Sequence, residues 1–194
     1  MELTPPYRLA TGDDARPIAE LVNMAGSGMG LHIWATMARP GQSAWDVGLE
    51  RARLGLGGFA HHNVVVREAA GRVAACLIGY RPESVTTAPA DQPHPIIAPL
   101  VELGHLVTNN WFLNVIATFP EFRGRGFGSE LLEIADRRAR EASCERISLT
   151  MSDANHVARR LYERHGYSRR ASRPIFRGDW EHAGEHWLLM VKEL

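Results

Sequence analysis

The sequence has 194 residues, of which 45% are hydrophobic and 23% charged, and its 22 lysines and arginines balance its 22 aspartates and glutamates. This length predicts one domain with a full hydrophobic core, and the zero net charge lacks the basic surplus of nucleic-acid binders. No apolar run reaches the ~18 residues that span a bilayer and no signal-peptide pattern is present, so we expect a cytoplasmic protein with no nucleic-acid or membrane partner.

The N-terminal half is predicted to contain helices and a β-hairpin. Asp13 or Asp14 can cap the first helix, on which Ile18 and Leu21 share an apolar face. Two β-rich runs on either side of a Gly-containing turn at 68–71 indicate the hairpin. The predicted elements are a strand at 7–10, helices from 13 or 14 to about 25 and at 44–54, and strands at 63–67 and 72–80.

The C-terminal half alternates strands and helices after a Pro-rich connection at 82–99, with a short helical turn within 96–106. Gly166 has the position of a left-handed helix cap. The predicted elements are strands at 111–119, 146–151 and 186–192, and helices at 128–142 and 153–165. This order of elements predicts an α/β fold with a mixed sheet in one domain.

A glycine-rich turn separates the strand at 111–119 from the amphipathic helix after it. Residues 122–129 read Phe-Arg-Gly-Arg-Gly-Phe-Gly-Ser. The glycines let the backbone approach an anion closely, and the start of the following helix adds unpaired N–H groups and the positive end of its dipole. Arg123 and Arg125 can add charge-assisted contacts, so the turn predicts a pyrophosphate site.

Three phosphate-bearing ligands compete for this turn. A nucleoside-triphosphate loop needs a lysine after its last glycine, where this chain has Ser129 and Glu130. A dinucleotide fingerprint needs its glycines directly after the strand with Gly-x-Gly-x-x-Gly spacing, whereas residues 120–123 intervene here. The pyrophosphate of coenzyme A remains, beside the plainer interpretation of a tight turn.

Two motifs in order make the chain resemble the GCN5-related N-acetyltransferase (GNAT) superfamily. The cofactor motif of that superfamily, R/Q-x-x-G-x-G/A, is matched at Arg123, Gly126 and Gly128, and its later helix is similar to residues 155–167. The close match covers about 111–170. The resemblance implies one N-acetyltransferase domain over 1–194, with a mixed, mostly antiparallel sheet that is flanked by helices and splayed at the cofactor strand.

The resemblance also implies how acetyl-CoA binds. Backbone groups of the strand at 114–118 would pair with the pantetheine arm, and an N–H near 116 or 117 would face the thioester oxygen. Asn155 would hold the pantetheine, and Tyr162, two helical turns later, would protonate the leaving thiolate. The implied cofactor-binding residues are Ile116, Ala117, Thr118, Arg123, Gly124, Arg125, Gly126, Phe127, Gly128, Ser129 and Asn155.

These roles have plainer alternatives, since Tyr162 alone would be interpreted as a core aromatic and Asn155 as a helix cap. The base that deprotonates the amine is not assigned by either motif. Glu102 and His105 are the first candidates, Glu121 and Glu50 are the next, and water is the alternative.

No metal is expected from the histidine pairs. His61 and His62 are adjacent, so their side chains would diverge on a strand. His182 and His186 fall in a loop, and no cysteine or carboxylate cluster completes either pair.

The sequence therefore predicts an acetyl-CoA-dependent N-acetyltransferase that acts on a primary amine by direct attack. The amine can belong to a small molecule or to a protein or peptide, and a homodimer is among the expected assemblies. The acceptor pocket is expected from 26–60, 82–108 and 172–185. A non-catalytic acyl-CoA sensor and a dinucleotide-binding protein are the alternatives.

Overall fold

The structure is a computed structural model that describes residues 3–82 and 94–194. Within these residues the regular elements are seven strands and six α-helices, apart from short 3-10 turns. In chain order they are β1 (Tyr7–Leu9), α1 (Ala15–Ala25), α2 (Met29–Met37), α3 (Ala44–Leu54), β2 (Val64–Ala69), β3 (Arg72–Tyr80), α4 (Ala98–Gly104), β4 (Asn110–Thr118), α5 (Phe127–Glu141), β5 (Arg146–Ser152), α6 (His156–Arg164), β6 (Ser168–Pro174) and β7 (His186–Glu193).

The sheet has the strand order β1-β2-β3-β4-β5-β7-β6. The pairs β1–β2, β2–β3, β5–β7 and β6–β7 are antiparallel, whereas β4 and β5 run parallel. The predicted fold class, an α/β fold with a mixed and mostly antiparallel sheet flanked by helices, is confirmed.

The chain forms two compact units. The first unit contains Met1–Gly79 and Val115–Leu131, and the second contains Tyr80–Asn114 and Leu132–Leu194. Each unit combines two separate stretches, so the division does not follow the order of the sequence. The single domain over 1–194 stays a prediction.

In the first unit, local capping explains where the predicted helix at 44–54 begins and ends. Ser43 Oγ accepts a hydrogen bond from the Asp46 N–H at 3.2 Å, and Asp46 Oδ2 accepts one from the Ser43 N–H at 2.8 Å. This reciprocal capping box starts α3 at Ala44, and Gly55 ends it with a φ of 62°. The predicted bounds of this helix are confirmed.

The β2–β3 hairpin closes through Ala70 and Gly71, whose φ values are 51° and 72°. Two consecutive positive φ values are typical of a type I′ turn, which matches the twist of the flanking strands. The predicted hairpin is confirmed, with a two-residue loop inside the predicted turn. His61 and His62 do not lie on a strand, and that expectation was wrong, because they belong to the 3-10 turn His61–Asn63 before β2.

Two elements were not predicted. The sequence of α2 is apolar nearly throughout, and Trp34 is its one buried residue, so it lacks the periodic stripe that announces an amphipathic helix. The strand β6 reads Ser-Arg-Arg-Ala-Ser-Arg-Pro and is largely exposed. It pairs with β7 at the end of the strand order, where polar residues protect an edge strand, so it carries no apolar alternation.

One predicted capping bond and one predicted helix start differ in the structure. Asp14 precedes α1, but its side chain accepts from Thr11 N–H and from Arg8 and makes no capping bond. The helix predicted from 153 starts at His156, because Asn155 is its N-cap. None of the described helices has the length and apolar character required to cross a membrane.

Gly48 lies inside α3 against the indole of Trp34, where a Cβ would stand 2.5 Å from two ring carbons. We expect Gly48→Ala to lower the free energy of unfolding by about 1–3 kcal/mol, since overpacking would outweigh the helix preference for alanine. Urea denaturation measures the change. Gly104→Ala is the control, because a Cβ at that helical position meets nothing within 4 Å. Equal stability of Gly48→Ala and wild type would contradict this packing.

Candidate functional site

The glycine-rich turn of the first unit joins β4 to α5. A 3-10 turn at Pro120–Phe122 follows β4, and α5 begins at Phe127. Gly124 and Gly126 have φ values of 75° and 84°, a left-handed conformation that residues with a Cβ rarely adopt. A Cβ at either position would meet nothing within 4 Å, so the backbone conformation, and not crowding, requires glycine here.

Five consecutive backbone N–H groups in this turn have no hydrogen-bond acceptor in the described part of the chain. On one side of them the Arg123 N–H donates to the Pro120 carbonyl, and on the other the N–H groups of Ser129 and Glu130 donate to the Gly126 carbonyl at 2.9 and 3.1 Å. We call residues 124–128, which carry the five free N–H groups, the amide run. It provides a row of donors at the positive end of the α5 dipole.

Aromatic packing in the first unit anchors both ends of the amide run. Phe122 and Phe127 are buried, and their rings stack with centroids 6.5 Å apart. The Arg67 guanidinium lies over the Phe127 ring at 3.2 Å from its centroid, and that of Arg72 lies over Phe122 at 4.8 Å. Because the Phe127 side chain is buried, its contribution to an anion site is its backbone N–H.

The two arginines of the turn keep their charge free of carboxylates. Arg123 Nε donates to the Thr118 carbonyl at 3.2 Å, and Arg125 Nη2 donates to the Glu121 carbonyl at 3.3 Å. Neither side chain forms an ion pair with a described residue. Both guanidiniums are therefore held by neutral backbone acceptors and remain able to bind an anion.

The two acidic residues that flank the turn in the sequence have their own cationic partners. Glu121 pairs with Arg72 at 2.9 Å, and Glu130 pairs with Arg67 at 3.1 Å. The hydroxyl of Tyr7 donates to Glu130, and this hydrogen bond lowers the pKa of the Glu130 carboxyl. Burial raises the pKa of Tyr7 to about 12, so this hydroxyl stays protonated. Both carboxylates are thus neutralised by partners other than the arginines of the turn.

The strand before the turn alternates in burial. Val115 and Ala117 are buried, whereas Ile116 and Thr118 are half-buried. In the second unit the parallel ladder between β4 and β5 pairs Asn110–Phe112 with Arg146–Ser148, and β5 continues beyond it to Ser152 against β7.

Tyr162 lies on α6 and Asn155 directly precedes this helix as its N-cap, both in the second unit. Asn155 Oδ1 accepts from the Ala158 N–H at 3.1 Å, so the residue does cap the helix. Its Nδ2 group makes no hydrogen bond to a described residue and is free to donate. Capping and a ligand contact therefore use different atoms of the same side chain.

Tyr162 is buried, with 7% of its surface exposed, and its ring forms an edge-to-face pair with Tyr167 at 5.7 Å. No described residue forms a hydrogen bond with the Tyr162 hydroxyl. Burial raises the pKa of Tyr162 well above that of free tyrosine, so the hydroxyl keeps its proton. Packing and an available O–H group coexist in this residue.

The two predicted bases belong to α4 and its C-terminal end, and their role stays a prediction. Glu102 is exposed and accepts from Arg173 Nε at 2.9 Å, and His105 is exposed at the end of α4. Among the described residues, no hydrogen bond, ion pair or ring contact joins either of them to Tyr162. Of the expected acceptor-pocket segments, 83–93 lies outside the described residues.

One polar pair in the second unit was not predicted from the sequence. Nε2 of His182 lies 2.8 Å from Oγ of Ser152, the last residue of β5. Its only signal in the sequence is the alternation of Ser148, Thr150 and Ser152 on the strand, because the histidine comes 30 residues later. Among the residues described, no three His, Cys, Asp or Glu side chains are grouped so that they could hold a metal ion.

Solved structures with a similar fold are acetyltransferases. A protein described as an acetyltransferase shares 24% identity over 96% of this chain and 98% of its own, with a TM-score of 0.65. An N-acetyltransferase from Staphylococcus aureus Mu50 shares 18% identity over 95% and 98% of the two chains, also with a TM-score of 0.65. A GNAT family acetyltransferase from Elizabethkingia anophelis, with acetyl-CoA bound, shares 15% identity over 97% of each chain, with a TM-score of 0.59. At these identities the likeness shows the fold.

The family follows from the sequence itself. The model of the acetyltransferase (GNAT) family matches residues 32–167, well over half of the chain. The match includes both the amide run and the helix that carries Asn155 and Tyr162. The chain therefore belongs to the GNAT acetyltransferase family.

Proposed function

We propose that the protein transfers an acetyl group from acetyl-CoA to a primary amine by direct attack of the amine on the thioester. The observation that carries this proposal is the amide run beside two arginines that pair with no carboxylate in the described part of the chain. A row of N–H donors, a helix dipole and two guanidiniums are complementary to a pyrophosphate.

The residues of the turn would hold the cofactor in distinct ways. Gly124, Arg125, Gly126, Phe127 and Gly128 would donate their backbone N–H groups to phosphate oxygens. Ser129 would contribute its hydroxyl, because its N–H already donates to the Gly126 carbonyl. The Elizabethkingia anophelis protein, which has the same fold, has acetyl-CoA bound, and this supports the assignment.

The backbone of β4 is the proposed track for the pantetheine arm. Its parallel ladder with β5 pairs Asn110–Phe112 with Arg146–Ser148 at the start of the strand, and the proposed track lies beyond Phe112. There the backbone groups of Ile116, Ala117 and Thr118 would pair with the arm as a neighbouring strand does. The Thr118 carbonyl also accepts from Arg123, which ties the track to the turn.

The leaving thiolate needs a proton, and Tyr162 is the proposed donor. Its hydroxyl has no acceptor among the described residues and stays protonated because it is buried. Asn155 would donate from Nδ2 to a pantetheine carbonyl while its Oδ1 caps α6. A free phenol and a free amide donor on one helix favour a transferase over a sensor that only binds acyl-CoA. The proposed acceptor is a primary amine, which a small molecule, a protein or a peptide can carry.

We expect Gly126→Glu to abolish binding of coenzyme A, because a carboxylate and a Cβ would enter the anion site and strain a φ of 84°. Thermal melting with and without coenzyme A measures binding, since a ligand of the native state raises the melting temperature. Gly41→Glu is the matched control, because Gly41 has a φ of 82° and equally open surroundings. Normal binding by Gly126→Glu would refute the pyrophosphate site.

Asn155 allows capping to be separated from binding. We expect Asn155→Ala to lower the free energy of unfolding by about 1 kcal/mol, because the Ala158 N–H loses its acceptor. Asn155→Ser can still cap the helix but lacks the amide donor. It should therefore retain the wild-type stability and bind coenzyme A more weakly. Denaturation and calorimetric titration test the two effects. If Asn155→Ser binds coenzyme A as the wild type does, the residue is a cap alone.

We expect Tyr162→Phe to lower turnover on the order of 10²–10⁴-fold while coenzyme A affinity changes little, because a ring of the same shape fills the same site without its proton. The assay is thiol release from acetyl-CoA with a panel of primary amines. Tyr167→Phe is the control, since the Tyr167 hydroxyl is buried and has no partner among the described residues. Turnover that is unchanged in Tyr162→Phe would assign the proton donor elsewhere.

A further inference from the structure

A histidine and a serine meet where the loop between β6 and β7 lies against the end of β5, in the second unit. His182 Nε2 is 2.8 Å from Ser152 Oγ, and the same oxygen accepts from the Ala154 N–H at 3.2 Å. Ser152 is 8% exposed. The hydroxyl has one proton, which it can donate to Nε2 when the imidazole carries its hydrogen on Nδ1, while Oγ accepts from Ala154.

The surroundings of His182 favour the neutral imidazole. Its ring stacks against Trp180 at 4.5 Å and Trp187 at 5.8 Å. Burial lowers the pKa of His182, and the charge of Arg177 lowers it further, whereas the charge of Asp153 opposes both. A neutral imidazole that accepts a hydrogen bond is the form that can take up a proton.

Specific contacts hold the loop over Ser152. Arg177 Nη2 donates to the Gly184 carbonyl at 2.6 Å, and Asp153 accepts from the N–H groups of Glu185 and His186 at 3.0 and 3.1 Å. The ring of His186 also lies 3.4 Å from Asp153, so that carboxylate has its own partners. A Cβ at Gly184 would collide with Ser152 Oγ, which requires glycine at this close approach.

The pair lies next to the proposed pantetheine contact. The Asn155 N–H donates to the Ser152 carbonyl at 3.1 Å, so both residues belong to one turn. Ser148, Thr150 and Ser152 share one face of β5 because side chains alternate along a strand. Ser148 is the last residue of β5 in the ladder with β4, and Thr150 and Ser152 follow it on the same face of the strand.

We propose that the Ser152–His182 pair removes the proton of the attacking amine, with Ser152 receiving it and passing its own hydroxyl proton to His182 Nε2. The inference rests on the proposed function. It places the base on a loop that neither family motif includes, in place of Glu102, which is paired with Arg173, and of His105.

The protons balance without a further reactant. As the C–N bond forms, the amine proton moves to Ser152 and the hydroxyl proton of Ser152 moves to His182. As the C–S bond breaks, the electron pair leaves on sulfur, which takes the proton of Tyr162. The imidazolium of His182 then releases its proton to solvent and the phenolate of Tyr162 regains one, so the products are an amide and a thiol.

The test is the pH dependence of kcat/KM for the amine in wild type, His182→Gln and Ser152→Ala. A base with a lowered pKa is fully active above that pKa and loses activity as the pH falls through it, so wild type should show an acidic limb below the ordinary histidine value of about 6.5. His182→Gln keeps a hydrogen-bonding side chain but takes up no proton. We expect His182→Gln to lose the acidic limb and to have a kcat/KM about 10²-fold lower than wild type at pH values above that limb. Ser152→Ala should show both effects as well.

His186→Gln is the matched control, because this histidine faces Asp153 and not Ser152, and it should keep the wild-type limb. Protonation of the amine substrate affects the pH profiles of all four proteins equally, so a difference between the profiles comes from the protein. The melting temperature of each protein is also measured with and without coenzyme A. Every variant should show the same rise in melting temperature as the wild type.

The outcomes distinguish the pair from the proposed function. If His182→Gln keeps the acidic limb and the wild-type kcat/KM, the inference is overturned and the proposed function is not. The same holds if His182→Gln loses coenzyme A binding, because His182 would then only hold the loop in place. A wild-type protein with no coenzyme A shift and no thiol release on any amine would overturn the proposed function and this inference together.

Discussion

Unsatisfied backbone N–H groups at one helix start are the constraint on which the proposed chemistry depends. Polar backbone groups normally find partners, and a row of five without acceptors calls for water or an anion. The left-handed conformations of Gly124 and Gly126 create that row, and the stacked rings of Phe122 and Phe127 fix its two ends. Loop conformation and aromatic packing together therefore hold the donors in place before any ligand arrives, which reduces the cost of ordering them on binding.

Local pairing of charges explains how a chain of zero net charge can present a cationic site. Glu121 and Glu130 lie close to the turn in sequence, but Arg72 and Arg67 neutralise them. Arg123 and Arg125 are instead held by backbone carbonyls, which orient a guanidinium without cancelling its charge. Composition reports the sum of charges, whereas binding responds to the local field.

The sequence could predict elements whose signals are local. The capping box of α3, the apolar stripe of α5 and the turn of the β2–β3 hairpin each lie within a few residues. The helix α2 and the strand β6 could not be predicted, because the first is apolar on nearly every side and the second is a polar edge strand. The glycine turn was visible as a motif, but which N–H groups stay free depends on hydrogen bonds that only coordinates give. The Ser152–His182 contact joins residues 30 positions apart through a loop, so no local sequence pattern predicts it.

Burial shifts the pKa values of Tyr162 and His182, two of the groups proposed to move protons, in opposite directions. It raises the pKa of Tyr162 and lowers that of His182, because in both cases it disfavours the charged form. Each group is thereby kept neutral, the phenol as a donor and the imidazole as an acceptor. Acid and base roles are often assigned in this way, where the surroundings separate the pKa values of two groups in one site. Neither proposed role requires a charged partner, because both groups act from their neutral forms.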